Sequence, residues 1–387
     1  MAEGIRRYVR QADMLLLTLC CVATLGGMVL IASASNYRGS SRFLLVQGVA
    51  LVLGIALYVF CSTVDIELLT EKVWRWLLAF NVLFIASLYF FGVDAGTGNK
   101  SWLRFSWFPI GIQPAEVVKI TFVILLARQI SIQRQRGLSR FGSVALLAGH
   151  LALMCGLIMF ASGDAGMAVV YLLIFIVMLY AGGVKLRWFA LGAGAAGAAA
   201  WFLWTRTDLI KDYWKERLLI LFDHSIDPLD IGWQQERSIL AIGSGQLTGQ
   251  GFLQGIQTQS PYSGSLPARH TDLIFAVAGE EFGMIGCVLI LLLLGAIILR
   301  CVYVGLSARS TTSALICMGF AGMLFAQTAL NIGMCLYVAP VIGLTLPFFS
   351  YGGSSIVTLF AAMGLVSSVK TRALPSWLRD RSDVRPR

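Results

Sequence analysis

Arg269, His270 and Asp272 stand directly before an apolar run in GSLPARHTDLIFAVAGEEFGMIG, residues Gly264 to Gly286. Ionisable groups set at a membrane edge are costly and tend to be functional. The plainer reading is a hydrated loop capped onto a helix, with Glu280 and Glu281 favouring the positive end of the next helix dipole. A second charged pair lies in IGIQPAEVVKITF, where Glu116 and Lys119 are three residues apart on one helical face, a turn beyond Pro114. They can neutralise each other and pin two helices together. Alternatively, Lys119 faces a hydrated cavity and meets an anionic substrate, with Glu116 holding it. His150, alone on an apolar face, reads as a hydrogen-bonded core residue.

The elements that must position these groups are membrane spans. Of 387 residues, 57% are hydrophobic and 13% charged, and apolar runs of span length recur. The runs are continuous rather than alternating, so the expected class is all-α, a polytopic membrane protein. Ten spans are expected, near 13–34, 43–61, 73–91, 113–130, 143–162, 165–183, 187–204, 280–300, 313–333 and 346–369. The first run lacks a small-residue cleavage site and reads as a retained span, not a signal peptide. Residues 1–204 hold spans one to seven, 205–279 one long extracytoplasmic loop, 280–369 spans eight to ten, and 370–387 a basic tail.

Charge orients this layout. The segments expected in the cytoplasm carry 19 Lys/Arg, and the short outside loops carry four: Arg38, Arg42, Lys100 and Arg104. Both termini are therefore expected inside. The net charge of +10 flanks hydrophobic spans instead of forming a hydrophilic domain, which argues against nucleic acid as a partner. The eight cysteines lie in or at the ends of apolar runs without metal-ligand spacing and read as small core residues.

Asp164 in the SerGlyAspAlaGly hairpin reads as a helix N-cap. In the long loop, short amphipathic helices are expected at the outer interface near Asp212 to Phe222 and Gln234 to Ile242. Its glycines from Gly243 to Gly255 are not a P-loop, because no Lys-Ser/Thr closes the pattern. In NIGMCLYVAPVIGLTLPFFSYGGSS, Pro340, Pro347, Gly352 and Gly353 break the helix pattern. Freed backbone there, with Ser350, Tyr351, Ser354 and Ser355, either lines a cavity or forms a packing seam.

Five separated blocks resemble the SEDS family of shape, elongation, division and sporulation proteins. They are Gln113-Pro114-Ala115-Glu116 with Lys119, Asp227-Pro228 with Gly232, AIGSG from Ala241, LPARHTDLIFAVAGEEFG from Leu266, and NIGM with LPFFSYGGSS. GlyIleGlnThrGln, from Gly255, is more similar to the RodA elongation branch than to the FtsW division branch. The resemblance implies an inverting peptidoglycan glycosyltransferase. It would polymerise lipid II on the outer face of the bacterial cytoplasmic membrane and release undecaprenyl diphosphate. Asp272 matches the family's catalytic aspartate and Lys119 its lysine. Trp102, Arg217, Arg269 and Lys100 join Glu116, Ser350, Tyr351 and Ser354 as expected substrate contacts.

The family's Arg-Trp reads Ser101-Trp102 here, its Pro-Asp reads Gly163-Asp164, and its Gly-Lys-Gly reads Gly249-Gln250-Gly251. Lys100 and Arg104 are the substitutes for the missing cations. No cofactor is required, and a divalent cation, Mg or Mn, is left open. The implied partners are a class B penicillin-binding protein and other membrane proteins of the elongation complex. The transpeptidase span would pack beside Gly286, Gly295, Gly319 and Gly322 on spans eight and nine. Two other functions compete: a flippase moving lipid II, which broken helices and buried charge would also suit, and a non-catalytic scaffold for the transpeptidase.

Overall fold

The computed structural model describes residues 11–37, 41–94, 99–104, 111–206, 231–262 and 264–373. They form the helices α1 (Met14–Asn36), α2 (Arg42–Thr63), α3 (Ile66–Lys72), α4 (Trp74–Phe91), α5 (Pro114–Arg136) and α6 (Phe141–Ser162). The chain continues with α7 (Ala165–Gly182), α8 (Leu186–Arg206), α9 (Ile231–Ser244), α10 (Ile274–Leu306), α11 (Thr311–Cys335) and α12 (Gly353–Ala373). Strand pairing among the described residues is limited to two isolated bridges, Val93 with Trp102 and Leu103 with Ile112. The chain is thus all-helical and a multi-pass membrane protein.

Eight helices among the described residues are long and apolar enough to cross a membrane. The expectation of ten spans adds α5 and α8, which coincide with spans four and seven but fall outside those eight. In α5 the cause is visible: Glu116, Lys119, Arg128, Arg134 and Arg136 all lie on one helix.

Polar residues at the helix ends account for several boundaries. Asp164 accepts from the Met167 N–H at 3.0 Å and starts α7, after Gly163 closes α6 in the left-handed region at φ 73°. Pro114 opens α5, where its missing N–H costs nothing. Asp13 caps α1 and also pairs with Arg300 at 2.9 Å and Lys370 at 3.3 Å, tying three helices together at one end of the bundle. His150 is a hydrogen-bonded core residue, its Nδ1 2.9 Å from Gln129 Oε1. All eight cysteines are free thiols. Helix α12 is the most enclosed of the apolar helices and packs along α2, while α11 packs between α7 and α10.

The structure corrects the outer loop in two ways. Helix α10 begins at Ile274, ahead of the expected 280, and breaks at Gly283 (φ 64°, ψ −161°) before continuing as the apolar span. The break frees backbone groups, and residues 246–251 satisfy them. Met284 N–H donates to Gln246 O and Ile285 N–H to Leu247 O, while Gln250 and Gly251 N–H donate to Glu280 and Glu281 carbonyls. That approach requires glycine, since a Cβ at Gly245 would lie 1.9 Å from Gly279 O and one at Gly249 2.1 Å from Glu281 O.

Helix α9 covers the helix expected at Gln234 to Ile242. It docks on the end of α11. Gln235 donates to Met334 and Ala339 carbonyls and Ser238 to Cys335 O, capping a helix end that would otherwise leave buried acceptors. The stretch Asp212 to Phe222 lies outside the described residues. Span ten was expected from 346, yet α12 starts at Gly353. Residues 336–352 between α11 and α12 are non-helical, with Tyr337 and Phe348 at positive φ.

Candidate functional site

The site gathers at the bundle end where α5, α7, α10 and α12 begin. Asp272 lies just before α10, half-buried, set deep yet with a solvent-facing edge. Burial pushes its carboxyl well above the ordinary range, to about 6; the Thr271 hydroxyl opposes the rise and the nearby Asp164 charge adds to it. The main chain around Asp272 is held on every residue. Tyr351 N–H donates to His270 O at 2.9 Å, Ser350 Oγ to Thr271 O at 2.6 Å, and Asn331 Nδ2 to Asp272 O at 2.8 Å.

Asp164, whose charge acts on Asp272, ties the loop before α5 to the start of α7. It accepts from Ser101 Oγ at 3.2 Å and Gln113 Nε2 at 3.3 Å, and burial raises its pKa. Among the described residues of that loop, Val93 N–H donates to Trp102 O, and Leu103 and Ile112 exchange two backbone bonds. Trp102 packs its ring against Gly111, and Lys100 is exposed at the rim.

Over this end stands an aromatic and cationic mouth. Phe43, His270 and Tyr351 pack with ring centroids 4.6 to 6.0 Å apart. Burial raises the Tyr351 hydroxyl, while the charges of Arg42 and Arg104 oppose that rise, so both cations lie within electrostatic reach of the ring. Arg42 had been read only as part of the charge bias; its position at the start of α2 beside Phe43 is what brings it here. A recess of about 340 Å³, lined by Tyr37, Gly264, Leu266, Pro267, Ala268, Arg269 and His270, opens next to it.

Deeper in, Lys119 Nζ binds Glu116 Oε1 at 2.8 Å, with both side chains buried and Gln327 Nε2 3.5 Å from the same oxygen. Glu116 Oε2 and Gln327 Oε1 are buried here without a partner among the described residues, as is Ser354 Oγ near the start of α12. A buried polar cluster that is only partly satisfied is a place for water or a polar ligand group.

Two expected contacts are engaged within the protein itself. Arg269 is 1% exposed, and the turn 257–262 wraps around it. Its guanidinium donates to the carbonyls of Gln257, Thr258, Ser260 and Tyr262 and lies 3.8 Å over the Tyr37 ring. These bonds make it the core of a loop and not an open cation. Ser350 is likewise buried, its hydroxyl held by Leu346 N–H and Thr271 O. Arg217 lies outside the described residues. Gly319 and Gly322 also face inward, where a Cβ would meet Val123 and Met178, or Val177; they are bundle packing, not a partner surface. Asn331 and Gln47, both fully buried, were not singled out, because an amide in an apolar helix carries no signal until its partners are known.

Fold and site together define a multi-pass helical membrane protein with a carboxylate of raised pKa under a cationic, aromatic mouth. The chain belongs to the family described as cell cycle protein, FTSW_RODA_SPOVE, whose model matches residues 13–374. It is similar to peptidoglycan glycosyltransferase MrdB of Escherichia coli K12, 35% identical over 288 residues, 72% of this chain and 74% of that one. It is also similar to probable peptidoglycan glycosyltransferase FtsW of Geobacter sulfurreducens, 31% identical over 95% of this chain and 97% of the relative. Among solved structures it resembles one describing the coordination of polymerization and crosslinking by a peptidoglycan synthase complex. The TM-score there is 0.77 and the identity 30%, over 94% of this chain and 99% of that one. Rod shape determining protein RodA of Thermus thermophilus matches with TM-score 0.69 and 26% identity, over 94% and 98%.

Proposed function

We propose that this chain is a peptidoglycan glycosyltransferase that polymerises lipid II on the outer face of the cytoplasmic membrane during cell elongation, with Asp272 as general base. The carrying observation is a carboxylate pushed up to about 6 with no donor among the described residues but a neighbouring hydroxyl, in a chain of this family. Such a group is ionised at neutral pH yet basic enough to take the proton of an acceptor sugar hydroxyl as the glycosidic bond forms. The leaving diphosphate is already a stable anion, so no second acid is needed. Arg42, Arg104 and Lys100 at the mouth meet that anion, where preorganised cations stabilise developing charge. Trp102 and Tyr351 border the sugar path, and Glu116, Lys119 and Ser354 supply a polar pocket beneath it. The described residues hold no group of three or more His/Cys/Asp/Glu placed to cage a metal.

Both termini are cytoplasmic in this reading, and the synthase-complex relative supports a crosslinking transpeptidase, a class B penicillin-binding protein, as partner. The clustering of the ionisable groups at one bundle end favours a surface enzyme over a flippase, whose site would lie near the midplane. The test is polymerisation of labelled lipid II by the purified protein, with and without the transpeptidase. Long glycan strands are expected. Translocation without strands would establish the flippase, and strands made only by the partner would leave the chain a scaffold.

A further inference from the structure

We infer that Asn331 and Ser350 are positioning residues for Asp272, setting the aim of its carboxylate through the main chain. The inference rests on the reading of Asp272 as the base. Asp272 precedes the N-cap of α10, so no helical ladder fixes its backbone, and among the described residues its carboxylate has no donor but the Thr271 hydroxyl to lock a rotamer. Its orientation must come from its carbonyl and those of its neighbours.

Asn331 sits one turn before the end of α11 and is fully buried. Its Nδ2 donates to Asp272 O at 2.8 Å and to Leu344 O at 2.6 Å. The second bond matters as much as the first, because a Cβ at Gly343 would lie 3.8 Å from Asp272 Oδ2. One amide on a rigid helix therefore fixes both the backbone that carries the carboxylate and the segment that faces it. Ser350 adds the preceding carbonyl, donating to Thr271 O at 2.6 Å while accepting from Leu346 N–H at 2.8 Å. Gln47 on α2 holds this turn in place, donating to Ser350 O at 3.2 Å and accepting from Gly352 N–H at 3.3 Å.

The experiment compares Asn331→Leu, Ser350→Ala and Ser350→Thr in the full chain, purified and assayed for kcat, for KM with lipid II and for folded yield. Asn331→Leu keeps the volume and removes both donors. Loss of aim should lower kcat about 100-fold with KM within about twofold, since a displacement on the order of 1 Å is enough for that. Ser350→Ala should lower kcat about tenfold, and Ser350→Thr, which restores the hydroxyl, should recover most of it. A kcat unchanged in folded Asn331→Leu overturns the inference. So does activity that falls only in step with folded yield in Ser350→Ala, the variant that decides if Asn331→Leu does not fold. Asp272→Asn is run beside them: if it polymerises normally the base assignment fails by itself, whereas a dead Asp272→Asn with active clamp variants removes the clamp alone.

Discussion

Asp272 and Glu280 stand eight residues apart on one segment, and the fold treats their carboxylates in opposite ways. Glu280 is fully buried and saturated: Gln257 N–H donates to one oxygen at 2.7 Å, and Thr258 N–H and hydroxyl to the other at 2.8 and 2.6 Å. Its neighbour Glu281 accepts from Ser33 at 2.6 Å and Gln259 at 3.1 Å. Among the described residues Asp272 has only its neighbour's hydroxyl, although its main chain is clamped. A carboxylate given donors anchors structure, and one denied them keeps its affinity for a proton. The same contrast separates Arg269, enclosed by carbonyls, from Arg104, exposed at the mouth.

The sharpest way to break this contrast is to remove charge from each carboxylate in turn. Asp272→Asn preserves shape and leaves no base, so polymerisation should fall by at least about 10³-fold with expression and folded yield intact. A polymerisation assay on the two purified proteins measures it. Near-normal strands from Asp272→Asn would move the search to Glu116, whose second oxygen is buried without a partner.

Glu280→Gln should show the reverse. An amide turned toward three N–H and O–H donors loses charge-assisted bonds, which individually are worth about 1.5–3 kcal/mol. Thermal unfolding in detergent should begin several degrees lower, with turnover per folded molecule kept. Equal stability of Glu280→Gln and the parent would show that the loop bonds add nothing to holding 255–259 on α10.

The difference between these carboxylates was not legible in their residue types. Composition and continuous apolar runs suffice for the helical class and for most span positions, because burying backbone in lipid admits few alternatives. The block around Asp272 was legible too, since a carboxylate at the head of an apolar run is costly. What spacing could not give were contacts made over long sequence separations. The Glu280 donors come from 257–258, the Asp272 clamp from Asn331 and Ser350, and the ring that packs on Tyr351 is Phe43 from the start of α2. The early start of α10 escaped for a related reason. Gly283 interrupts the helix only because residues 246–251 supply the partners that it frees.

The smallest effect concerns pH and isolates the part of the Asp272 environment that comes from another charge. With its carboxyl at about 6, Asp272 is ionised above that value and protonated below it, so the rate should fall as pH drops through about 6. Burial is the main cause of this position, and the Asp164 charge adds to it. Asp164→Asn removes that like charge while keeping an oxygen to accept from Met167 N–H, the bond that caps α7. The acid limb of kcat/KM, which reports the free enzyme, should therefore move to lower pH, by less than about one unit, because the desolvation remains. Glu280→Gln should leave the limb where it is, as Glu280 is absent from the charges that act on Asp272. The comparison is read from pH–rate profiles of the three proteins in one buffer series at constant ionic strength. A limb unmoved by Asp164→Asn would mean that burial alone sets the base. A limb moved upward would contradict the sign of the interaction between Asp164 and Asp272.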